Sequence, residues 1–148
     1  MPYGKEWVEK NVRDERIVLN MINSLLGRMH LASHVELLSE KQRNIIAEGI
    51  DYYNLIKDAK KTALPCFPNG FCRFGDKSVV SGFETDSKIY LAVWALKTDT
   101  VKVNVITEPE NISIAYPKNS NVEIDCTVNG FEVSFSSSSQ AVFLEVKK

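Results

Sequence analysis

The spacing of the apolar residues changes once along this chain, from the period of a helix to the alternation of a β-strand. Between residue 14 and about residue 62 the apolar groups recur at helical spacing, whereas after Pro68 they alternate. Two prolines and a glycine within residues 64–70 exclude a continuous helix across the change. We therefore expect an α+β fold in which a helical segment, residues 1–62, is followed by an antiparallel β-sandwich, residues 63–148.

Two amphipathic helices are predicted in the first segment. The first begins near Asp14 and stops at Gly27. The second occupies about residues 39–61, and Ser39 forms a capping box with Gln42 at its start. Their apolar stripes consist of Ile17, Val18, Met21, Ile22, Leu25 and Leu26 in the first helix, and of Ile45, Ile46, Gly49, Ile50, Tyr53 and Ile56 in the second.

The two stripes are broad for the amount of chain around them. Only a short apolar link from Met29 to Ala32, itself a candidate strand, lies between the helices. Because these sixty or so residues can barely cover both stripes, we expect the cover to come from a domain outside the chain.

Short strands are predicted throughout the second segment. The stretch from Ile89 to Leu96 is apolar on both faces, as in a central strand that is covered on both sides. Near the end of the chain, Asn129-Gly130 favours a two-residue hairpin turn. That turn predicts three facing pairs: Val128 with Phe131, Cys126 with Val133, and Ile124 with Phe135.

Composition excludes several classes of partner. The 148 residues include 18 basic and 19 acidic side chains spread along the whole length, so no basic patch for nucleic acid is expected. No apolar run is long enough to cross a membrane, and no secretory signal is recognisable at the N-terminus. Three cysteines, Cys66, Cys72 and Cys126, are too few for a disulfide framework. We expect buried free thiols and a cytoplasmic location.

Candidate catalytic groups are sparse. His30 and His34 are four positions apart, but Leu31 stands where the hydrolytic zinc motif has glutamate, and there is no third histidine. The carboxylates fall in predicted turns or on outward strand faces, and none is predicted to share an apolar pocket with another. Glycine-rich phosphate loops are absent from the sequence. We therefore expect no metal, no cofactor and no catalytic apparatus in this chain.

Aromatic residues offer an alternative function, since exposed rings stack on sugars in carbohydrate-binding β-sandwiches. Trp94 and Tyr90 lie in the predicted central strand, where core packing is the expected role. Tyr116, which precedes Pro117, is the better candidate for an exposed ring. A single ring makes a poor platform.

Five stretches of the sequence, taken in order, carry a family resemblance. They are LGRMHLASH at residues 26–34, LLSEKQ at 37–42, GIDYY at 49–53, ALP at 63–65 and LAVW at 91–94. In this order they resemble the C-terminal region of the α-galactosidases (melibiases) of glycoside hydrolase family 36. The similarity covers about residues 14–97, and the remaining strands match only in kind.

The resemblance implies a non-catalytic part of a larger enzyme. In that family a (β/α)8 barrel carries an aspartate nucleophile and an aspartate acid/base, and both lie upstream of the matching region. Residues 14–61 would be the last barrel elements, with Met29 to Ser33 as a strand, and residues 64–148 would be the β-domain that supports the barrel. Ser33 and His34 would line the α-galactoside site only when that barrel is present. Two alternatives stay open: a carbohydrate-binding module, and a freestanding protein that forms homo-oligomers.

Overall fold

The structure of the chain is a computed structural model, and it describes residues 4–32 and 34–148. Three α-helices come first: α1 (Lys5–Asn11), α2 (Asp14–Leu26) and α3 (Glu40–Ile56). Single 3-10 turns lie at Val35–Leu37, Ala59–Lys61 and Pro109–Asn111. The predicted start and end of α2 are confirmed, and α3 ends a few residues before the predicted limit.

The capping box predicted for α3 is present, and its glutamine also forms two hydrogen bonds outside the helix. The Ser39 hydroxyl accepts from the backbone N–H of Gln42, and the Gln42 carboxamide oxygen accepts from the backbone N–H of Ser39. The same side chain donates through Nε2 to the Val12 carbonyl at 3.0 Å and to Asp14 Oδ1 at 3.2 Å. Gln42 is buried and thereby ties the start of α3 to the junction between α1 and α2.

Replacing Gln42 with glutamate is expected to destabilise the fold by about 1–3 kcal/mol at neutral pH, although glutamate suits the cap itself. The variant places a carboxylate oxygen against the Val12 carbonyl and the Asp14 carboxylate, where Gln42 donates two hydrogen bonds. These neighbours raise the pKa of the new carboxyl in the folded state, so the loss shrinks as the pH falls. Urea titrations at several pH values measure this.

Lys41→Gln is the control for this experiment, because Lys41 pairs with the same Asp14 from the exposed side of the helix at 2.6 Å. Removing this exposed ion pair is expected to change the stability much less than Gln42→Glu does. Wild-type stability of Gln42→Glu at pH 7 would show that the buried amide hydrogen bonds do not hold this junction.

Eight strands form two antiparallel sheets. They are β1 (Leu64–Cys66), β2 (Ser78–Glu84), β3 (Lys88–Ala95), β4 (Thr100–Val103), β5 (Ile112–Tyr116), β6 (Glu123–Thr127), β7 (Gly130–Ser134) and β8 (Gln140–Lys147). The larger sheet has the order β1-β2-β3-β8-β5, and the smaller one has the order β4-β7-β6. This arrangement confirms the predicted α+β class with N-terminal helices and a β-sandwich.

The five-stranded sheet is covered on both faces. Alternate residues of β3 and β8, such as Leu91, Val93 and Leu144, face the three-stranded sheet and form one core with it. The intervening residues, such as Ala92 and Phe143, form a second core with α2 and α3. The prediction that β3 is a central strand with two covered faces is therefore confirmed.

The expectation that the helical stripes need cover from outside the chain is wrong. Ile22 and Leu25 of α2 are fully buried, and Ile46, Tyr52 and Ile56 of α3 are nearly so. Their cover is the chain's own five-stranded sheet, since helix and sheet residues belong to the same core. The first sixty residues do not reveal this cover, because the sheet whose second face packs on them comes later in the chain.

Three aromatic side chains donate hydrogen bonds that connect the helices to this sheet. Trp94 Nε1 donates to Asn23 Oδ1 at 2.9 Å, and the Tyr116 hydroxyl donates to the Ile45 carbonyl at 3.0 Å. The Tyr52 hydroxyl donates to Glu145 Oε1 at 2.8 Å, and burial is the main cause of the raised pKa of that phenol. Glu145 also accepts from Lys88 at 2.7 Å. Each buried polar tip thus has a partner in another layer.

The predicted hairpin exists, but its register is wrong by two residues. Cys126 faces Phe131 and Ile124 faces Val133, with Val128 and Asn129 forming the turn. Gly130 is a strand residue with φ of 152°, and a Cβ on it would lie 2.0 Å from the Val103 carbonyl oxygen in the neighbouring strand β4. Glycine is therefore needed at position 130 because two backbones approach each other closely there, and not because of the turn.

Candidate functional site

The strongest candidate site is an open, mostly apolar cavity of about 350 Å³ among the three helices. We call it the helical groove. Its walls come from α1, α2, the segment between α2 and α3, and the first half of α3. A cavity of this size with a few polar groups is within the range of small-molecule sites. The polar lining comes from Asn20, Ser24, His30 and His34, and the apolar lining includes Trp7, Val12, Ile17, Met21, Leu31, Leu38 and Ile46.

One wall of the groove is the apolar link between α2 and α3. The prediction that Met29 to Ala32 forms a strand is wrong: the backbone is irregular and pairs with no strand of the described residues. A strand needs a neighbour to share its hydrogen bonds, and no described strand lies beside Met29 to Ala32. Leu31 is 49% exposed as a result, and Trp7 across the groove is 43% exposed.

His30 and His34, the histidine pair of the sequence, both line the groove. His34 Nδ1 lies 2.6 Å from Glu36 Oε1, and this hydrogen bond is the main cause of the lowered pKa of the exposed Glu36 carboxyl. Ser33, the other predicted substrate-lining residue, lies outside the described residues. Of the two predicted substrate-lining residues, Ser33 and His34, the structure therefore places His34 beside the cavity.

Lys60 fixes the point at which the link leaves α2. Its Nζ donates to the carbonyls of Leu25 and Gly27 at 2.7 and 2.8 Å, and it lies 4.3 Å from the ring centroid of Tyr53. It satisfies carbonyls at a helix C-terminus that has no basic residue in its own last turn. Burial lowers the pKa of this amine. No local pattern indicates the two carbonyl contacts, because Lys60 lies 35 and 33 positions from Leu25 and Gly27 in the chain.

Carboxyl groups are missing from the described lining of the groove. No aspartate or glutamate is among the described residues that line it. Retaining glycosidases need two carboxyl groups about 5–5.5 Å apart, one of them to form the covalent intermediate. Within residues 4–32 and 34–148, no group of three or more potential metal ligands is found either. The groove can hold an apolar or weakly polar group but cannot activate water through paired acids.

The aromatic candidates for sugar stacking are placed inside the fold. Trp94 and Tyr90 are buried, as predicted for core residues. The prediction that Tyr116 is exposed is wrong, because its ring is completely buried against α3, where Gly49 makes room for it. Burial also raises the pKa of its phenol. None of these rings can form a platform for a sugar.

The thiols also differ from the prediction. Cys66 is half-buried, and burial raises the pKa of its thiol, but Cys72 and Cys126 are exposed. Cys126 lies on β6, an edge strand of the smaller sheet, most of whose residues are exposed. All three cysteines are free.

Comparison with known proteins adds no further constraint. No family model, no curated protein and no solved structure matches this chain. None of the described helices has the length and continuous apolar character needed to span a membrane.

Proposed function

We propose that this chain is the non-catalytic C-terminal part of a glycoside hydrolase that resembles the family 36 α-galactosidases. In this proposal the C-terminal β-sandwich supports a catalytic barrel that carries both aspartates. Residues 14–61 are the last elements of that barrel, with Met29 to Ser33 as its final strand and Ser39 to Lys61 as the helix behind it. The three free cysteines fit a reducing cytoplasm as its location.

The observation that carries the proposal is the unpaired apolar link. Met29 to Ala32, which belong to the stretch that resembles a final barrel strand, have no described strand beside them, and Leu31 is half exposed at the edge of the groove. A neighbouring barrel strand would satisfy the backbone groups of this link and cover the apolar wall. The helical stripes do not support the proposal. They are buried on the chain's own sheet and need no further partner.

The carbohydrate-binding alternative is not supported by the aromatic residues that suggested it, because Trp94, Tyr90 and Tyr116 are buried. Homo-oligomer formation remains compatible with the open groove. Sedimentation of the purified chain distinguishes a monomer with an unoccupied groove from a self-associated species.

The proposal predicts that the chain alone does not hydrolyse p-nitrophenyl α-galactoside. The described lining of the groove has no carboxyl group to act as nucleophile or acid. The measurement is release of p-nitrophenol by highly purified protein over many hours, with the substrate in buffer as control. Turnover that co-purifies with the chain and persists in a metal chelator would contradict the proposal.

His34 provides a test within the full-length enzyme. Replacing His34 with alanine should raise KM for an α-galactoside several-fold if the imidazole lines the substrate site. In the isolated chain the same change should leave the stability within about 0.5 kcal/mol, because the side chain is exposed. Glu36→Gln is the control, since it removes the charged partner of His34 without shortening the imidazole. Unchanged Michaelis parameters for His34→Ala would exclude a lining role.

A further inference from the structure

A second cleft, of about 560 Å³, lies between α2 and the turn that joins β7 to β8. We call it the arginine cleft. It shares Asn20 with the helical groove, but its arginines and serines do not line that groove and have no part in the proposed function. The residues that matter are Arg13, Arg16 and Leu19 on the helical side and Ser137, Ser138 and Ser139 on the turn.

The two arginines of the cleft have unused donors. Arg13 is the N-cap residue of α2 and Arg16 lies in its first turn, and both line the cleft. Both are exposed, and neither forms an ion pair or side-chain hydrogen bond with another described residue. Each guanidinium therefore keeps its planar set of N–H donors available for a ligand with several oxygens.

The opposite wall offers hydroxyl groups. Gln140 Nε2 donates to the hydroxyl oxygens of Ser136 and Ser137 at 3.0 and 2.8 Å, which fixes the turn. The Ser137 hydroxyl proton lies toward the Ser138 carbonyl at 3.3 Å. The Ser138 hydroxyl forms no hydrogen bond with another described residue, so its proton is free to be donated.

One acid, Glu15, also lines the cleft, but it does not cancel the arginines. Its charge acts in part on Lys41, whose pKa is raised chiefly by the hydrogen bond to Asp14 and to a smaller extent by Glu15. Two guanidinium groups in the lining of the cleft thus stand against one described carboxylate. The local balance favours an anion.

We propose that the arginine cleft binds a phosphomonoester of a small organic molecule. The phosphate oxygens match the donors of Arg13, Arg16 and Ser138, and a phosphomonoester carries close to two negative charges at neutral pH. The cleft is much larger than a phosphate ion, and Leu19 gives it an apolar wall against which an organic group can pack. An organic phosphate should therefore bind more tightly than inorganic phosphate.

Isothermal titration tests the proposal with three probes: phenyl phosphate, inorganic phosphate and phenol. Phenyl phosphate should bind with a Kd in the millimolar range or below, inorganic phosphate several-fold more weakly, and phenol not measurably. Arg13→Ala and Arg16→Ala should each weaken phenyl phosphate about tenfold, as expected for one charge-assisted hydrogen-bonding group. Ser138→Ala should weaken it about threefold, the size of a neutral hydrogen bond.

Lys10→Ala is the control, because Lys10 has the same charge, lies in α1 and is not part of the cleft. It should leave the affinity unchanged. All these positions are exposed, so circular dichroism is expected to show folded variants throughout. Absence of phenyl phosphate binding at 10 mM ligand, about the weak limit for such a site, would overturn the proposal. Equal weakening of phenyl phosphate binding by Lys10→Ala and Arg13→Ala would also overturn the proposal, because it would show that only the overall charge matters.

Discussion

Replacing Phe143 with alanine is expected to lower the free energy of unfolding by about 3–5 kcal/mol, the usual cost of deleting a large buried ring. Phe143 is completely buried in the middle of β8, opposite Ala92 on β3. Its ring packs edge-to-face against Tyr52 of α3, with centroids 5.7 Å apart. The substitution therefore removes one of the main apolar contacts between the helices and the sheet, and urea titration measures the loss.

The neighbouring Leu144→Ala separates the two cores. Leu144 is as deeply buried as Phe143 but faces the three-stranded sheet. Hydrogen exchange in Phe143→Ala should accelerate first in α2 and α3, whereas in Leu144→Ala it should accelerate first in β4 and β7. The same pattern of exchange in both variants would contradict the assignment of the helices to one face of the sheet.

Gly82→Ala is expected to cost at least about 3 kcal/mol and to reduce the yield of folded protein, since overpacking against backbone cannot relax by a side-chain movement. Gly82 lies in β2 between Cys66 of β1 and Leu91 of β3. A Cβ at this position would lie 1.8 Å from the Tyr90 carbonyl oxygen. The backbone of β2 or β3 has to shift, which disturbs the strand pair at the centre of the sheet.

Gly27→Ala is the matched control for this substitution. No heavy atom lies within 4 Å of a Cβ built on Gly27, and its φ of −111° is open to other residues. We expect a change of less than about 1 kcal/mol. Thermal unfolding followed by circular dichroism compares the two variants, and equal stability of Gly82→Ala and Gly27→Ala would exclude the close approach at β2.

The sequence predicted the local features of the fold well. The limits of α2 and the capping box at Ser39 follow from short-range signals, and both are confirmed. The same holds for β3, whose unbroken apolar run indicates a strand that is covered on both faces. In each case the residues that determine the structure lie within a few positions of one another.

The errors come from contacts between distant parts of the chain. The cover of the helical stripes is the sheet, and Tyr116 is buried because it reaches the Ile45 carbonyl on α3. The hairpin turn is shifted because Gly130 is needed beside Val103, a requirement that Asn129-Gly130 does not reveal by itself. The helical groove and the arginine cleft likewise depend on how the helices and the last turn are placed, so neither could be found from a local pattern.

The most direct test of the proposed function is a two-part assay. The coding sequence upstream of this chain, if it encodes a barrel in the same frame, is expressed with and without the present chain, and hydrolysis of p-nitrophenyl α-galactoside is measured at equal barrel concentration. The account predicts little activity from the barrel alone, none from the present chain, and a large increase when both are produced together as a co-purifying complex. Full activity of the barrel without this chain, or an upstream frame that encodes no barrel, would contradict it.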